Sequence, residues 1–283
     1  MRLAHFSDFH FTNLTINPLR LFPKRIFSHL NWVLHRKKTF SNEPLTQIPD
    51  LLDKLKVDLI LLGGDFTSSS MPEEFEKAKD LIQKLSARTI AIPGNHDQYT
   101  VRSYKQRLFY KYFSNPKSSS LSLMNDRLEA HKIKTGWWVV ALDTSCPNPI
   151  TSSRGIFSHD LEAKLAHLLS EIPKEEKVIL LNHYPFFQQE MPKKVLERGE
   201  ALESLIRRHP NIVLYLHGHT HRHSIANLRA CGLPIVLDSG SCSQKRFGSW
   251  NLIDLNEVGC AITAYEWDNQ WKEKNKQEFS WTI

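Results

Sequence analysis

Six short apolar runs recur along the chain, at residues 2–6, 57–62, 88–92, 137–142, 177–181 and 211–216. Each is rich in β-branched or aliphatic residues and too short for a helix, so each reads as a buried strand. Between several of them lie segments of helical period. PEEFEKAKDLIQKL follows Met71, and SHDLEAKLAHLLSEI begins at Ser158, where the serine suits an N-cap and Leu161, Leu165, Leu168 and Leu169 form one stripe. Strands alternating with helices predict an α/β layered fold. Beyond residue 230 the helices stop, and LPIVLDSGS, SWNLIDLN and CAITAYEW are expected to finish the chain as antiparallel strands. No internal repeat or linker-like segment interrupts the pattern, so residues 1–283 are expected to form a single domain.

The strand ends carry the chemistry. The runs terminate in SDFH (7–10), GGDF (63–66), PGNHD (93–97), NHYP (182–185) and GHTH (218–221), each placing Asp, Asn or His at a carboxyl end. Open α/β sheets gather ligands there because loops leaving neighbouring strands converge on one crevice. The last of these lies within HGHTHRH (217–223), which holds four of the chain's fourteen histidines; alone, it suits a metal, an anion or a solvated polar tract. Oxygen and nitrogen donors without cysteine match Mn, Fe or Zn in a catalytic setting rather than a structural zinc site. Seven candidate donors exceed the needs of one ion with an open position and suit two ions sharing a carboxylate.

In that order, D-x-H, G-D, G-N-H-D, a lone His after a strand and G-H-x-H resemble the signature of the calcineurin-like metallophosphoesterases. The resemblance implies two central mixed β-sheets flanked by helices. It further implies two divalent ions, manganese first, with iron or zinc as alternatives. Asp8, His10 and His221 would hold one ion, Asn95, His183 and His219 the other, and Asp65 would bridge them. His96 resembles the family's catalytic histidine, with Asp97 expected to orient its ring. His217 is expected at the strand end outside the ligand set, and His223 facing solvent or substrate. Gly64 and Gly94 are read as permitting sharp turns beside the ions.

Charge and insertions bear on the substrate. Formal charge is +7, which favours acidic partners. Four cysteines without C-x-x-C spacing, and no signal-like or membrane-spanning run, predict a cytoplasmic protein. An insertion at about 11–40 holds Ile26, Phe27, Leu30, Val33 and Leu34 on one side of a helix starting near Pro23. Arg20, Lys24, Arg25, Arg36, Lys37 and Lys38 flank it, and no acid occurs between residue 11 and Glu43. That composition suits a helix lying in a membrane interface, although packing on the chain's own core is the competing expectation. An acid-free segment at about 98–120, rich in Tyr, Phe, Lys and Arg, is expected to rim the same mouth.

These two segments are similar to those of the metallophosphoesterases that cleave UDP-2,3-diacylglucosamine in lipid A synthesis, especially those of the chlamydial type. The similarity implies pyrophosphate cleavage to UMP and a lipid monophosphate at the inner face of the membrane. A nuclease or cyclic-nucleotide phosphodiesterase using the same metals is the alternative, with nucleic acid the less favoured partner. A non-catalytic scaffold of the same fold is the third.

Overall fold

The computed structural model describes residues 1–15, 23–116, 120–187 and 191–281. Its strands are β1 (Arg2–Phe6), β2 (Leu59–Leu62), β3 (Arg88–Ala91), β4 (Leu128–Lys134), β5 (Trp137–Leu142), β6 (Gly155–Ile156), β7 (Lys177–Leu181), β8 (Leu196–Glu197), β9 (Ile212–His217), β10 (Ser224–Asn227), β11 (Ile235–Asp238), β12 (Ser249–Leu255), β13 (Gly259–Trp267) and β14 (Trp271–Ser280). Two six-stranded mixed sheets result, ordered β14-β13-β12-β1-β2-β3 and β10-β11-β9-β7-β5-β4.

Strand alternation builds the layers. Leu3, Leu59, Leu61 and Ile90 of one sheet pack with Val139, Ile179, Leu214 and Leu237 of the other, so the sheets bury their inner faces against each other. Their neighbours Ala4, Phe6, Ile60 and Leu62 point outward under the helices Ile48–Leu55 and Pro72–Ile82. On the opposite outer face, Val140, Val178 and Leu180 are covered by the helices His159–Glu171 and Gly199–Arg208. The predicted cap holds: Ser158 Oγ accepts from the Leu161 amide at 3.2 Å, and all four leucines of the stripe are buried. Trp137 enters the inter-sheet core, whereas Trp138 faces the other way and donates its indole N–H to Glu176.

One topological expectation needs correction. β12, β13 and β14 are antiparallel, but β11 pairs in parallel with β9 and antiparallel with β10. The short β10 carries the chain back along the sheet, so β11 inserts between β10 and β9, parallel to β9, and buries Ile235 to Leu237 in the sheet interior. β14 was invisible to the pattern because its sequence, WKEKNKQEFS, is an exposed polar edge.

The insertion folds as the helix Pro23–Asn31, a π-helical turn at Trp32–Arg36 and a final turn at Lys37–Thr39. Its amphipathicity is inverted. Arg25 and Ser28 are buried, with Arg25 donating to the Ser69 and Ser70 carbonyls at 3.2 and 3.0 Å. Ile26, Phe27, Leu30, Val33 and Leu34 are instead 43–60% exposed, so the expectation that the apolar face packs on the chain's own core is overturned. Arg20 and Lys117, which figure in the basic stretches, lie outside the described residues. No described helix is long and apolar enough to cross a membrane.

Candidate metal centre

The five strand-end motifs converge on the carboxyl edge shared by the two sheets. Asp8 and His10 follow β1, Asp65 follows β2, Asn95 to Asp97 follow β3, His183 follows β7, and His219 and His221 follow β9. Donor atoms of Asp8, His10, Asp65 and His221 all lie within 4.8 Å of one another. His10 Nε2 and His221 Nε2 face each other at 3.0 Å, and Asp8 Oδ1 is 3.0 Å from the latter. Asp65 Oδ2 lies 3.9 Å from His10 Nε2 and 3.5 Å from His183 Nε2, between the two groups of imidazoles. The His183 and His219 rings are 5.1 Å apart. A dinuclear metal site is suggested by this cluster.

The backbone is bent to make it. Asp8, His10, Asp65, His219 and His221 all adopt left-handed φ between 51° and 70°, five of twelve such non-glycine residues described. Each carries a cost of about 1–3 kcal/mol that neighbouring structure must offset, and such strain concentrates at functional sites. Close approach explains the glycines: a Cβ at Gly94 would sit 2.2 Å from Asp65 Oδ1, and one at Gly64 2.6 Å from the Gly94 amide nitrogen.

Orphaned polar atoms show that the donors fit a cation. Asn95 Oδ1 is buried and meets no hydrogen-bond partner among the described residues, and buried Asp8 Oδ1 and His183 Nε2 face only an imidazole and a carboxylate of the same cluster, at 3.0 and 3.5 Å. Buried polar groups rarely go unpaired without an ion or water to satisfy them. Second partners also orient the rings: His183 Nδ1 is held by the Gly63 carbonyl at 2.7 Å and His219 Nε2 by the Lys194 carbonyl at 2.8 Å, leaving Nε2 and Nδ1 respectively as the available donors. Burial depresses His10 to about 4, aided by the positive Arg36, and His219 to about 3, aided by His183, so these imidazoles are neutral and hold lone pairs for a metal. His183 differs: burial alone would lower it, but Asp65 and Asp8 push it up to about 9. A cation between these carboxylates would take over that role and displace the proton.

His96 stands at the edge of the cluster, its ring 4.8 Å from His10 and stacked on Tyr99 at 5.5 Å. Its Nδ1 lies 2.7 Å from the Ser68 carbonyl, which only accepts, so Nδ1 carries the proton and Nε2 is the chemically available nitrogen. Asp97 therefore does not orient this ring, contrary to expectation. Its carboxylate instead accepts from the Phe66, Thr67 and Gly94 amides at 3.2, 2.9 and 3.0 Å and from the Thr67 hydroxyl at 3.1 Å, tying the loop after β3 to the loop after β2. Burial and the nearby Asp65 push Asp97 up to about 7.

Of the remaining histidines, His217 is buried at the end of β9, 3.4 Å from Asp238 Oδ2. His223 turns inward to Asn251 Oδ1 at 2.7 Å rather than outward, because the start of β10 brings it against β12. The aromatic rim also needs correction. Phe109 and Phe113 are core residues, Tyr112 stacks on Phe75, and Tyr110 donates to Asp143 at 2.6 Å, leaving Tyr99 as that segment's ring in the pocket beside the cluster. This pocket, of about 310 Å³, is walled by Asn95, His96, Tyr99 and Arg36 and edged by Phe27 and Met191. Arg36 escaped the sequence reading as a site residue because nothing in its neighbours distinguishes it from other basic flanks.

Residues 1–223 match the family profile for calcineurin-like phosphoesterases. A probable cyclic nucleotide phosphodiesterase from Synechococcus is 27% identical over 218 residues, 74% of this chain and 76% of that one. A probable glycerophosphodiester phosphodiesterase from Arcobacter nitrofigilis is 29% identical over 173 residues, 60% and 58% of the two chains. A dimetal phosphatase from Danio rerio has the same fold, with a TM-score of 0.69, 14% identity and 99% coverage of both chains. Ordered motifs, converging donors and a profile spanning most of the chain agree that it belongs to the calcineurin-like phosphoesterases and is a metal-dependent hydrolase of phosphoesters.

Proposed function

We propose that this phosphoesterase cleaves the pyrophosphate of a nucleotide-linked lipid at a membrane surface, with UDP-2,3-diacylglucosamine as substrate and UMP and 2,3-diacylglucosamine 1-phosphate as products. One observation carries the reading: the insertion helix buries its polar side and turns its apolar side outward beside the pocket that holds His96 and Asn95. Exposing five large apolar residues along the helix and the π-helical turn that follows it is costly in water and favourable against acyl chains. Phe27, Ile150 and Met191 extend that apolar surface to the pocket mouth, where acyl chains would lie while the head group enters.

In this reading Asp8, His10 and His221 would hold one divalent ion and Asn95, His183 and His219 the second, with Asp65 serving both. Bound ions supply an activated water and neutralise charge on the phosphoryl oxygens. The chain's own residues do the rest. Water adds to one phosphorus and gives up a proton, the bridging P–O bond breaks, and His96, which lines the pocket, can take up that proton at its free Nε2 and pass it to the departing oxygen. Asp97 contributes by holding the two loops in register.

The second reading, hydrolysis of a small soluble phosphodiester such as a cyclic nucleotide or a glycerophosphodiester, is favoured by the activities named for the two bacterial relatives. A scaffold without activity is disfavoured because none of the motif residues is missing from the sequence. Manganese-dependent hydrolysis of UDP-2,3-diacylglucosamine in mixed micelles, run beside bis-p-nitrophenyl phosphate and with His96→Ala as control, separates them. Fast UMP release dependent on His96, with slow turnover of the generic diester, is expected. Turnover of soluble diesters alone would replace the lipid with a nucleotide or glycerol diester.

A further inference from the structure

The insertion does more than cover the pocket: it delivers one cation into it. Phe40, at the insertion's end, is buried with its ring 5.3 Å from His10 and 5.7 Å from His221. The Arg36 carbonyl accepts from the Phe40 amide at 2.8 Å, and the Arg36 guanidinium carbon lies 5.2 Å from the Phe40 ring. Arg36 is thereby fixed against the cluster and lines the same pocket as Asn95 and His96.

The other pocket cations are differently placed. Lys24 Nζ is spent on the Tyr99 and Asn148 carbonyls, at 2.5 and 2.7 Å, and Lys193 and Lys194 are exposed at the mouth. Arg36 makes no ion pair with a described carboxylate. A half-buried guanidinium beside a cation-binding cluster is unfavourable unless an anion arrives with the ligand. A guanidinium also matches phosphate geometry with two parallel N–H donors, which an ammonium does not.

We infer that Arg36 binds the second, non-scissile phosphoryl group of the substrate, so that the pocket selects diphosphate linkages over single phosphodiesters. This rests on the proposed cleavage of a diphosphate, though not on the nucleoside or the lipid attached to it. Two phosphoryl groups in one linkage are adjacent, and a cation fixed beside the metal cluster meets the second when the first is at the ions.

The test is calorimetric binding of methyl phosphate and methyl diphosphate to the full chain loaded with excess manganese, comparing wild type, Arg36→Ala and Arg36→Lys, with thermal melting to verify folding. Wild type should prefer the diphosphate. Arg36→Ala should weaken methyl diphosphate at least tenfold while changing methyl phosphate less than twofold, and Arg36→Lys should fall between because one point charge replaces a fork. Equal weakening of both ligands, no weakening, or no diphosphate preference in the wild type would overturn the assignment. If UDP-2,3-diacylglucosamine is not turned over but the Arg36-dependent preference persists, the lipid substrate fails and the diphosphate subsite stands.

Discussion

At the scale of single residues, the cluster separates groups that line the pocket from groups that hold the frame. Asn95 and His96 belong to the first kind, and Asp97, adjacent in sequence, belongs to the second, because its four donors come from two loops. In Asp97→Asn one oxygen becomes an NH₂ facing backbone N–H groups, leaving a buried amide unpaired. The expected loss is about 1–3 kcal/mol of stability, read as a lower melting temperature, with the shape of the pH–rate profile unchanged. An unaltered melting temperature with a displaced profile would restore to Asp97 the role of tuning His96.

At the scale of elements, the insertion is held by its polar side. Arg25 on the Ser69 and Ser70 carbonyls, and Lys24 on those of Tyr99 and Asn148, anchor the helix Pro23–Asn31 to the loops that carry the cluster. Its apolar side contributes little to folding, since it remains in solvent. The double substitution Leu30→Ser, Leu34→Ser should therefore change folding stability by no more than about 0.5 kcal/mol. It should nevertheless markedly reduce co-sedimentation with vesicles containing phosphatidylglycerol. Unchanged vesicle binding, or a large fall in melting temperature, would remove the interfacial role.

Across the whole molecule, one buried acid outside the cluster makes stability depend on pH. Glu74 caps the helix Pro72–Ile82 and accepts from the Asn13, Ser69 and Met71 amides, linking the loop after β1 to the loop after β2. Burial pushes it up to about 7 against those donors. A raised carboxyl binds its proton more tightly in the folded than in the unfolded chain. Its stabilising contribution is therefore complete below about pH 4.5 and is lost as pH rises through 7. Chemical denaturation of wild type and Glu74→Gln at pH 5 and pH 8 isolates this group, because every other titration is common to both. The wild type should lose on the order of 2–3 kcal/mol relative to the variant between the two pH values. A constant difference would mean that Glu74 is ionised throughout.

Much of this protein was legible in its sequence for a local reason. Strand runs, the Ser158 cap and the polar residues closing each run are properties of a few consecutive residues, so the α/β layering and the five converging motifs could be read without a structure. What remained undecided depended on partners distant in sequence. Helical periodicity reveals that the insertion has an apolar side but not which side meets the protein; carbonyls of residues 69, 70, 99 and 148 decided that. The tyrosines and phenylalanines after Tyr99 looked like a binding rim until the core formed by Phe66 and Phe75 absorbed Phe109 and Phe113. Asp97, His223 and Arg36 share this dependence: each takes its role from groups that only the folded sheets bring within reach. Sequence alone determined which polar residue types close the strands and the order in which the strands present them, because those are written in residue type. Tertiary structure decided which charges face the pocket and which face the frame, because that depends on burial.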